Sequence, residues 1–283
     1  MSANRSDRTT NRSAKADWFA ALHRQSRAFV IANVWDAGSA RTLAGLGFEA
    51  LATSSAAAAA VLGRLDGTIT REESLAHARI VVNATDLPVS ADLENGFSDA
   101  PEAAAETIRL AAEAGLVGGS IEDASGDARR PIYDLAHATE RIAAAVEAAR
   151  ALPFRFTLTA RAENFLHGRD DLDDTIRRLQ AFERAGADVL FAPGLPDLDA
   201  VRAVCSAVSK PVNFMAAMRG RTFALADLDA AGVRRVSLAG SLHRAAMSAV
   251  VDAALEIRND GRFGYIERTR PSAELNAFMQ SQR

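Results

Sequence analysis

From residue 28 onward the chain alternates between two periods of hydrophobicity. A run of four to seven mostly apolar residues ends in polar or acidic turn residues. An amphipathic segment follows, with apolar positions three and four apart, and often closes on Ala-Gly. The runs at 28–34, 49–54, 88–93, 117–122, 156–162, 188–192, 212–215 and 233–239 predict strands. The segments 37–45, 71–85, 101–114, 134–149, 172–185, 198–208, 225–231 and 241–258 predict helices. Pro101 stands at a natural first-turn position, and Gly47, Gly115, Gly186 and Gly232 supply left-handed stops.

Eight strand–helix units predict an α/β fold, a (β/α)8 TIM barrel over residues 17–258. An open doubly wound sheet would place a glycine-rich phosphate turn after its first strand. Asn33-Val34-Trp35-Asp36-Ala37-Gly38-Ser39 is not such a turn. Residues 17–26 read as a short helix. Residues 1–16, polar and rich in Arg, Ser and Asn, read as a disordered arm. Residues 259–283 form a tail with a helix-like piece at 272–279, placed to cover the barrel bottom or a neighbouring subunit.

Composition adds exclusions. Of the 283 residues, 48% are hydrophobic and 24% charged, with a formal charge of −3, which gives no reason to expect nucleic acid or an anionic membrane as a partner. No apolar run approaches the ~20 residues that span a bilayer. Cys205 is the single cysteine, so no intrachain disulfide can form, and the cytoplasm is the expected compartment. The two lysines, Lys15 and Lys210, lie in the arm and before strand seven, which excludes a Schiff-base mechanism in the pocket.

In a barrel, chemistry sits at the carboxyl ends of the strands. Strand one ends at Trp35-Asp36, and strand two at Thr53, Ser54 and Ser55, followed by five alanines. That second stretch is either a ligand-gripping segment of small residues or a surface loop. Strand three gives Asp92, Glu94 and Asn95, with Ser90 reaching a site through water; strand four gives Glu122 and Asp123. Adjacent strand ends bearing carboxylates suit a hard divalent ion. Arg161, at the end of strand five, suits a substrate carboxylate or developing oxyanion charge, or else pairs with Glu122 or Asp123. Asp66, in Gly63-Arg64-Leu65-Asp66-Gly67, is a general acid or base, or a turn residue. Gly240-Ser241 opens the last helix as an anion contact, with His243 on the same helix; Cys205 reads as a buried packing residue.

The succession N-V-W-D-A-G-S-A, T-S-S, L-G-R-L-D-G, S-A-D-L-E-N-G-F, S-I-E-D and T-A-R-A-E-N resembles the isocitrate lyase/phosphoenolpyruvate mutase superfamily over residues 20 to 255. The resemblance implies a barrel whose last helix is swapped between subunits of a homo-oligomer, usually a tetramer. It implies Mg²⁺, with Mn²⁺ as a substitute, and a small α-keto or 2-hydroxy acid as substrate. Asp92 and Glu122 match the metal-binding carboxylates; Trp35, Thr53, Ser54, Ser55 and Ser241 belong to the substrate pocket. Arg161 matches the substrate arginine, and Asp66 an acid on the gating loop. Two departures stand out: residues 124–131 lack the family's K-[KR]-C-G-H segment, and Ser90 stands at the first acid of a D-x-D. The glutamate usual after strand six is also missing. The short-loop branch then implies a Mg²⁺-dependent, oxaloacetate-decarboxylase-like lyase. The alternatives are C–P bond mutase or hydrolase chemistry, and a barrel that binds a keto acid without turning it over.

Overall fold

Parallel neighbours cannot be joined by tight turns, so each strand here is followed by a crossover that lays a helix against the sheet. The structure, a computed structural model, describes residues 5–280. Its elements are α1 (Arg5–Leu22), β1 (Phe29–Asn33), α2 (Ala37–Gly45), β2 (Leu51–Ala52), α3 (Ser55–Val61), α4 (Arg71–Ala84) and β3 (Val89–Asp92). There follow α5 (Pro101–Glu113), β4 (Gly118–Glu122), α6 (Leu135–Arg150), β5 (Thr157–Arg161), α7 (Leu172–Arg184), β6 (Val189–Phe191) and α8 (Leu198–Ala207). The chain finishes with β7 (Val212–Met215), α9 (Leu225–Ala230), β8 (Arg235–Ser237), α10 (Ser241–Asp260) and α11 (Ser272–Gln280). The eight strands close in sequence order into a parallel barrel, β8 pairing back onto β1 through Phe29–Arg235 and Ile31–Ser237. This is the (β/α)8 fold that the alternating pattern predicts.

The main core lies between the barrel wall and the helices. Small side chains set its thickness: Ala104, Ala105, Ala111 and Ala112 of α5 and Ala138, Ala145, Ala148 and Ala149 of α6 are buried, which lets these two helices lie close together. Local chemistry fixes where helices begin. Asp36 and Ser39 exchange side-chain-to-backbone bonds as a capping box at α2, and Thr70 with Glu73 does the same at α4.

Two sequence expectations are corrected here. The arm expected to be disordered is helical from Arg5, and residues 1–4 lie outside the described ones. The helix persists because it has something to close: Ala16, Phe19 and Leu22 bury against Phe29, Ala50 and Val117 at the amino ends of the strands. Arg12 and Lys15 also donate to the Ala112 and Thr85 carbonyls. Helix α1 is thus the barrel floor. The small-residue stretch after β2 is helix α3, whose Ala57, Ala58 and Ala59 are buried, so it is not an open loop.

Helix α10 differs from the helices that pack on the barrel: none of its side chains is buried, and Met247, Val250, Val251, Leu255 and Ile257 are exposed. The tail turns back through a 3-10 segment, Gly264–Arg268, and α11 reaches α2. Among the described residues no helix is long and apolar enough to cross a membrane.

Strand β4 explains how the floor fits. A Cβ added at Gly118 would stand 2.8 Å from Phe19 Cε1 of α1 and 2.9 Å from the Thr157 carbonyl oxygen, and the backbone atom cannot move aside. Gly118→Ala is therefore expected to cost about 1–3 kcal/mol through overpacking. Urea denaturation checks this: the midpoint should fall at unchanged slope, and an unchanged midpoint would mean the floor helix retreats freely.

Candidate active site

Residues two apart on a strand face the same side, and the ladders of β3, β4 and β5 bring their last residues to one mouth. Asp92 pairs in register with Ser120, and Glu122 with Arg161. Arg161 therefore stands beside Glu122, on the neighbouring strand. Its Nη1 lies 2.9 Å from Asp92 Oδ1 and 3.0 Å from Glu122 Oε2, while its Nε donates to Glu163 Oε1 at 2.8 Å. One guanidinium binds three carboxylates on three consecutive strand ends.

Asp92 is held from every side. Its Oδ2 accepts from the Ser55 amide at 3.3 Å and the Ser55 hydroxyl at 3.1 Å, and its own amide donates to Thr53 Oγ1. Its Oδ1 also receives the Glu94 amide. After Asp92 the backbone turns through left-handed conformations at Glu94 (φ 47°), Gly96 and Phe97 (φ 65°). Such strain persists only where surroundings over-determine it. Here buried Arg141 donates to the carbonyls of Asn95, Ser98 and Asp99, pinning the turn from outside.

That turn delivers Glu94 to the mouth. Its Oε1 is sealed from water and has no hydrogen-bond partner. Burial, then Asp92 and Asp66, push its pKa up to about 7. Glu122 is raised well above the usual carboxylate range by burial and by Glu163, Asp92 and Glu94, with Arg161 pulling the other way. Burial also raises Glu163. For Arg161 burial acts to lower the pKa, but Glu122, Glu163 and Asp92 outweigh it and hold the guanidinium protonated far above the ordinary range.

Ser90 is buried in the barrel wall, and Glu94, two residues past Asp92, brings a further carboxylate to the mouth. Four carboxylates face one guanidinium, with one buried oxygen unpaired. That donor chemistry fits a hard divalent cation, and Asp92 and Glu122 are the residues that would hold it. Among the described residues no group of three His, Cys, Asp or Glu side chains is placed to hold a metal ion, so an ion here would rest on one or two of these carboxylates and keep several waters.

Other predicted residues take different places. Thr53, Ser55, Asp92, Glu122 and Arg161 come together. Asp66 is exposed on the loop after α3, yet it lines the same outer cleft as Ser55, Glu94, Glu122 and Glu163. Ser54 is buried at the start of α3. Trp35 and Ser241 lie at the β1–β8 seam, where the Trp35 ring meets His243 edge-on at 5.5 Å. The Asp123 carboxylate does not pair with the Arg161 guanidinium: it is 1% exposed and pairs with Arg178 at 2.9 Å, bracing α7. Burial pushes the Cys205 thiol up to about 11, which suits packing. Residues 124–131 fold into a short antiparallel flap through Ala124 and Ile132, and Ala124, Ser125 and Gly126 reach the cleft. Sequence reasoning passed over Glu163; its spacing two residues beyond Arg161 was the available signal.

Comparison with known proteins bears on this geometry. The sequence model of the phosphoenolpyruvate phosphomutase family matches residues 19–258. The chain belongs to the phosphoenolpyruvate mutase/isocitrate lyase superfamily. Within this superfamily, a crystal structure from Burkholderia cenocepacia J2315, provisionally named a lyase/mutase, is 55% identical, with a TM-score of 0.93 over 96% of this chain and 97% of that one. An oxaloacetate decarboxylase from Bradyrhizobium sp. (strain BTAi1) is 32% identical over 255 residues, 87% of this chain and 85% of the relative. The crystal structure of 2,3-dimethylmalate lyase, a superfamily member, is 25% identical with a TM-score of 0.83, covering 93% of this chain and 94% of its own. The chain is thus an enzyme of a lyase/mutase superfamily.

The raised acids carry a signed consequence. Glu94 has a higher pKa folded than unfolded, so the folded state holds more protons between the two values, and metal-free stability falls as pH rises from about 5 to 8. Glu94→Gln should remove about 1–2 kcal/mol of that fall, after discounting for solvent screening. Chemical denaturation at pH 5, 6.5 and 8 measures it; parallel wild-type and variant profiles would show that Glu94 is not strained.

Proposed function

We propose that the chain is a Mg²⁺-dependent lyase acting on a small α-keto or 2-hydroxy carboxylic acid, by decarboxylation or C–C cleavage beside the carboxylate. The observation that carries this is the single guanidinium of Arg161 shared by Asp92, Glu122 and Glu163 at the barrel mouth. Superfamily membership and the decarboxylase relative support it.

In this reading Asp92 and Glu122 would hold the ion, directly or through water, with Mn²⁺ an adequate substitute. When bound, the ion supplies an electron sink for charge developing on the substrate's keto oxygen. Arg161 has donors on two edges of its fork and binds the substrate carboxylate. Thr53 and Ser55 fix Asp92, so the acid needs no reorganisation when substrate arrives. Glu94, with a pKa of about 7, holds or releases a proton at its unpaired Oε1 near neutral pH. Asp66 closes over the cleft on its loop. Residues 124–131 offer no Cys, His or Lys as acid or base, which favours decarboxylation over cleavage that needs proton relay there.

The test is a screen of purified protein with Mg²⁺ or Mn²⁺ against oxaloacetate, substituted malates and phosphonopyruvate. Turnover of a keto or hydroxy acid, abolished by chelator, is expected. Asp92→Asn should lower kcat at least 100-fold while circular dichroism is unchanged. Turnover that survives excess chelator would remove the ion from the reading. Turnover of phosphonopyruvate alone would replace it with C–P chemistry. Stabilisation by oxalate and Mg²⁺ without any turnover would leave a binding protein.

We also infer that α10 is covered by a second copy of the chain. The exposed Met247, Val250, Val251 and Leu255, together with Phe263 and Ile266, are more apolar surface than a surface helix leaves to water. Light scattering should give a dimer or tetramer, and Val250→Glu combined with Val251→Glu should shift it toward monomer. A wild-type monomer at tens of micromolar would end this inference.

A further inference from the structure

Below the mouth, the lumen holds a second cation that the site above does not use. Arg235, on β8, is 5% exposed and lines a small cavity inside the barrel with Asn33, Ser90, Ser120, Asn213 and Ser237. Its Nε donates to Asn213 Oδ1 at 2.8 Å, and its Nη2 to Thr159 Oγ1 at 3.1 Å. Nη1 lies 3.3 Å from His23 Nε2, at the end of the floor helix. His23 Nδ1 is 2.8 Å from the Phe19 carbonyl, so the ring donates there and Nε2 is left as an acceptor. Burial, and then the charge of Arg235, drive the His23 pKa down to about 3, so this partner is neutral at any physiological pH.

All three partners of Arg235 are thus uncharged, and among the described residues no carboxylate stands within 4.0 Å of it. Burial alone lowers its pKa to about 9, which leaves it charged at neutral pH. Barrel interiors are ordinarily filled by branched apolar side chains, and a buried charge without a counter-ion is a large cost to retain for packing alone. Two of the five guanidinium N–H groups have no acceptor among the described residues, and the hydroxyls of Ser90, Ser120 and Ser237 are further donors along the cavity. Asn213 is held by Arg235 so that its Nδ2 donates to Ser237 Oγ at 2.9 Å, which leaves that hydroxyl's own proton to be donated elsewhere.

Position completes the argument. Thr159, which Arg235 touches, lies two residues below Arg161 on β5, a drop of about 6.6 Å. Arg161 and Asp92 also line the lumen cavity, so mouth and lumen are continuous. We propose that the lumen is a subsite for an anionic group, the second carboxylate of a short dicarboxylate, with Arg235 as its counter-cation. The proposal rests on reading the mouth as a carboxylate site, and names the class of acid that enters it.

Calorimetric titration of the full-length protein with succinate and with butyrate tests this, since the two match in length but differ by one charge. Oxalate with Mg²⁺, too short to fill both stations, reports on the mouth separately. Wild type should bind succinate at least ten-fold more tightly than butyrate. Arg235→Gln should abolish that preference and leave oxalate with Mg²⁺ unchanged, and Arg235→Lys should restore part of it. Should Arg235→Gln fail to fold, the wild-type preference and its reduction in Arg235→Lys decide the matter. Equal binding of the two acids by wild type, or a preference unmoved by the variants, overturns the proposal. A preference that depends on Arg235 while oxalate with Mg²⁺ fails to bind sustains the lumen subsite and removes the reading of the mouth.

Discussion

The structure of the mouth depends on a single ion cluster: Arg161 against Asp92, Glu122 and Glu163. Like charges on adjacent strand ends repel, and three buried carboxylates would not stay there without a cation at the centre. A guanidinium can do this because its donors lie in a plane and address separate acceptors at once. Everything nearby is arranged to suit it. Helix α3 starts where Ser55 can reach Asp92, and the strained turn at Glu94 is clamped by Arg141. A divalent ion at this mouth would compete with Arg161 for the same acids, and charge balance would then leave the arginine free to face an anionic ligand.

The fold was readable because a parallel barrel repeats its signal. Each strand is a short apolar run, each helix carries a separate face, and the stops at Gly115, Gly186 and Gly232 adopt the positive φ that favours glycine. The strand-end acids were readable for the same reason, since topology alone sends Asp92, Glu122 and Arg161 to one rim. Partner choice was not. Asp123 and Glu122 are adjacent in sequence, yet alternation points them to opposite sides of β4, one to Arg178 in the helical layer and one to Arg161. How Glu94 reaches the mouth was not readable, because it relies on left-handed backbone at a non-glycine residue, which local preference argues against. The polar first part of helix α1, before residue 17, was missed because it is helical only once the apolar residues that follow meet a floor that exists nowhere locally in the sequence.

The interior shows a division of charge along the barrel axis. Acids gather at the mouth, where hydroxyls, amides and Arg161 meet them. Arg235 sits below among neutral dipoles, kept apart from any carboxylate. β4 makes room for this polar lumen through Gly118 and Ser120, while Gly119 between them faces Leu93 and Phe156 on the outer side. Small residues here serve the cavity, just as alanines in α5 and α6 serve the outer layer.

The contact between His23 and Arg235 joins positions 212 residues apart. During synthesis the floor helix emerges long before the strand that supplies Arg235, so this contact forms only when nearly the whole chain has been made. Ring closure of the barrel and burial of the lumen charge are then one late event. A chain truncated before β8 would lack both the seam and the polar group that the end of its first helix meets, leaving the barrel open at that side.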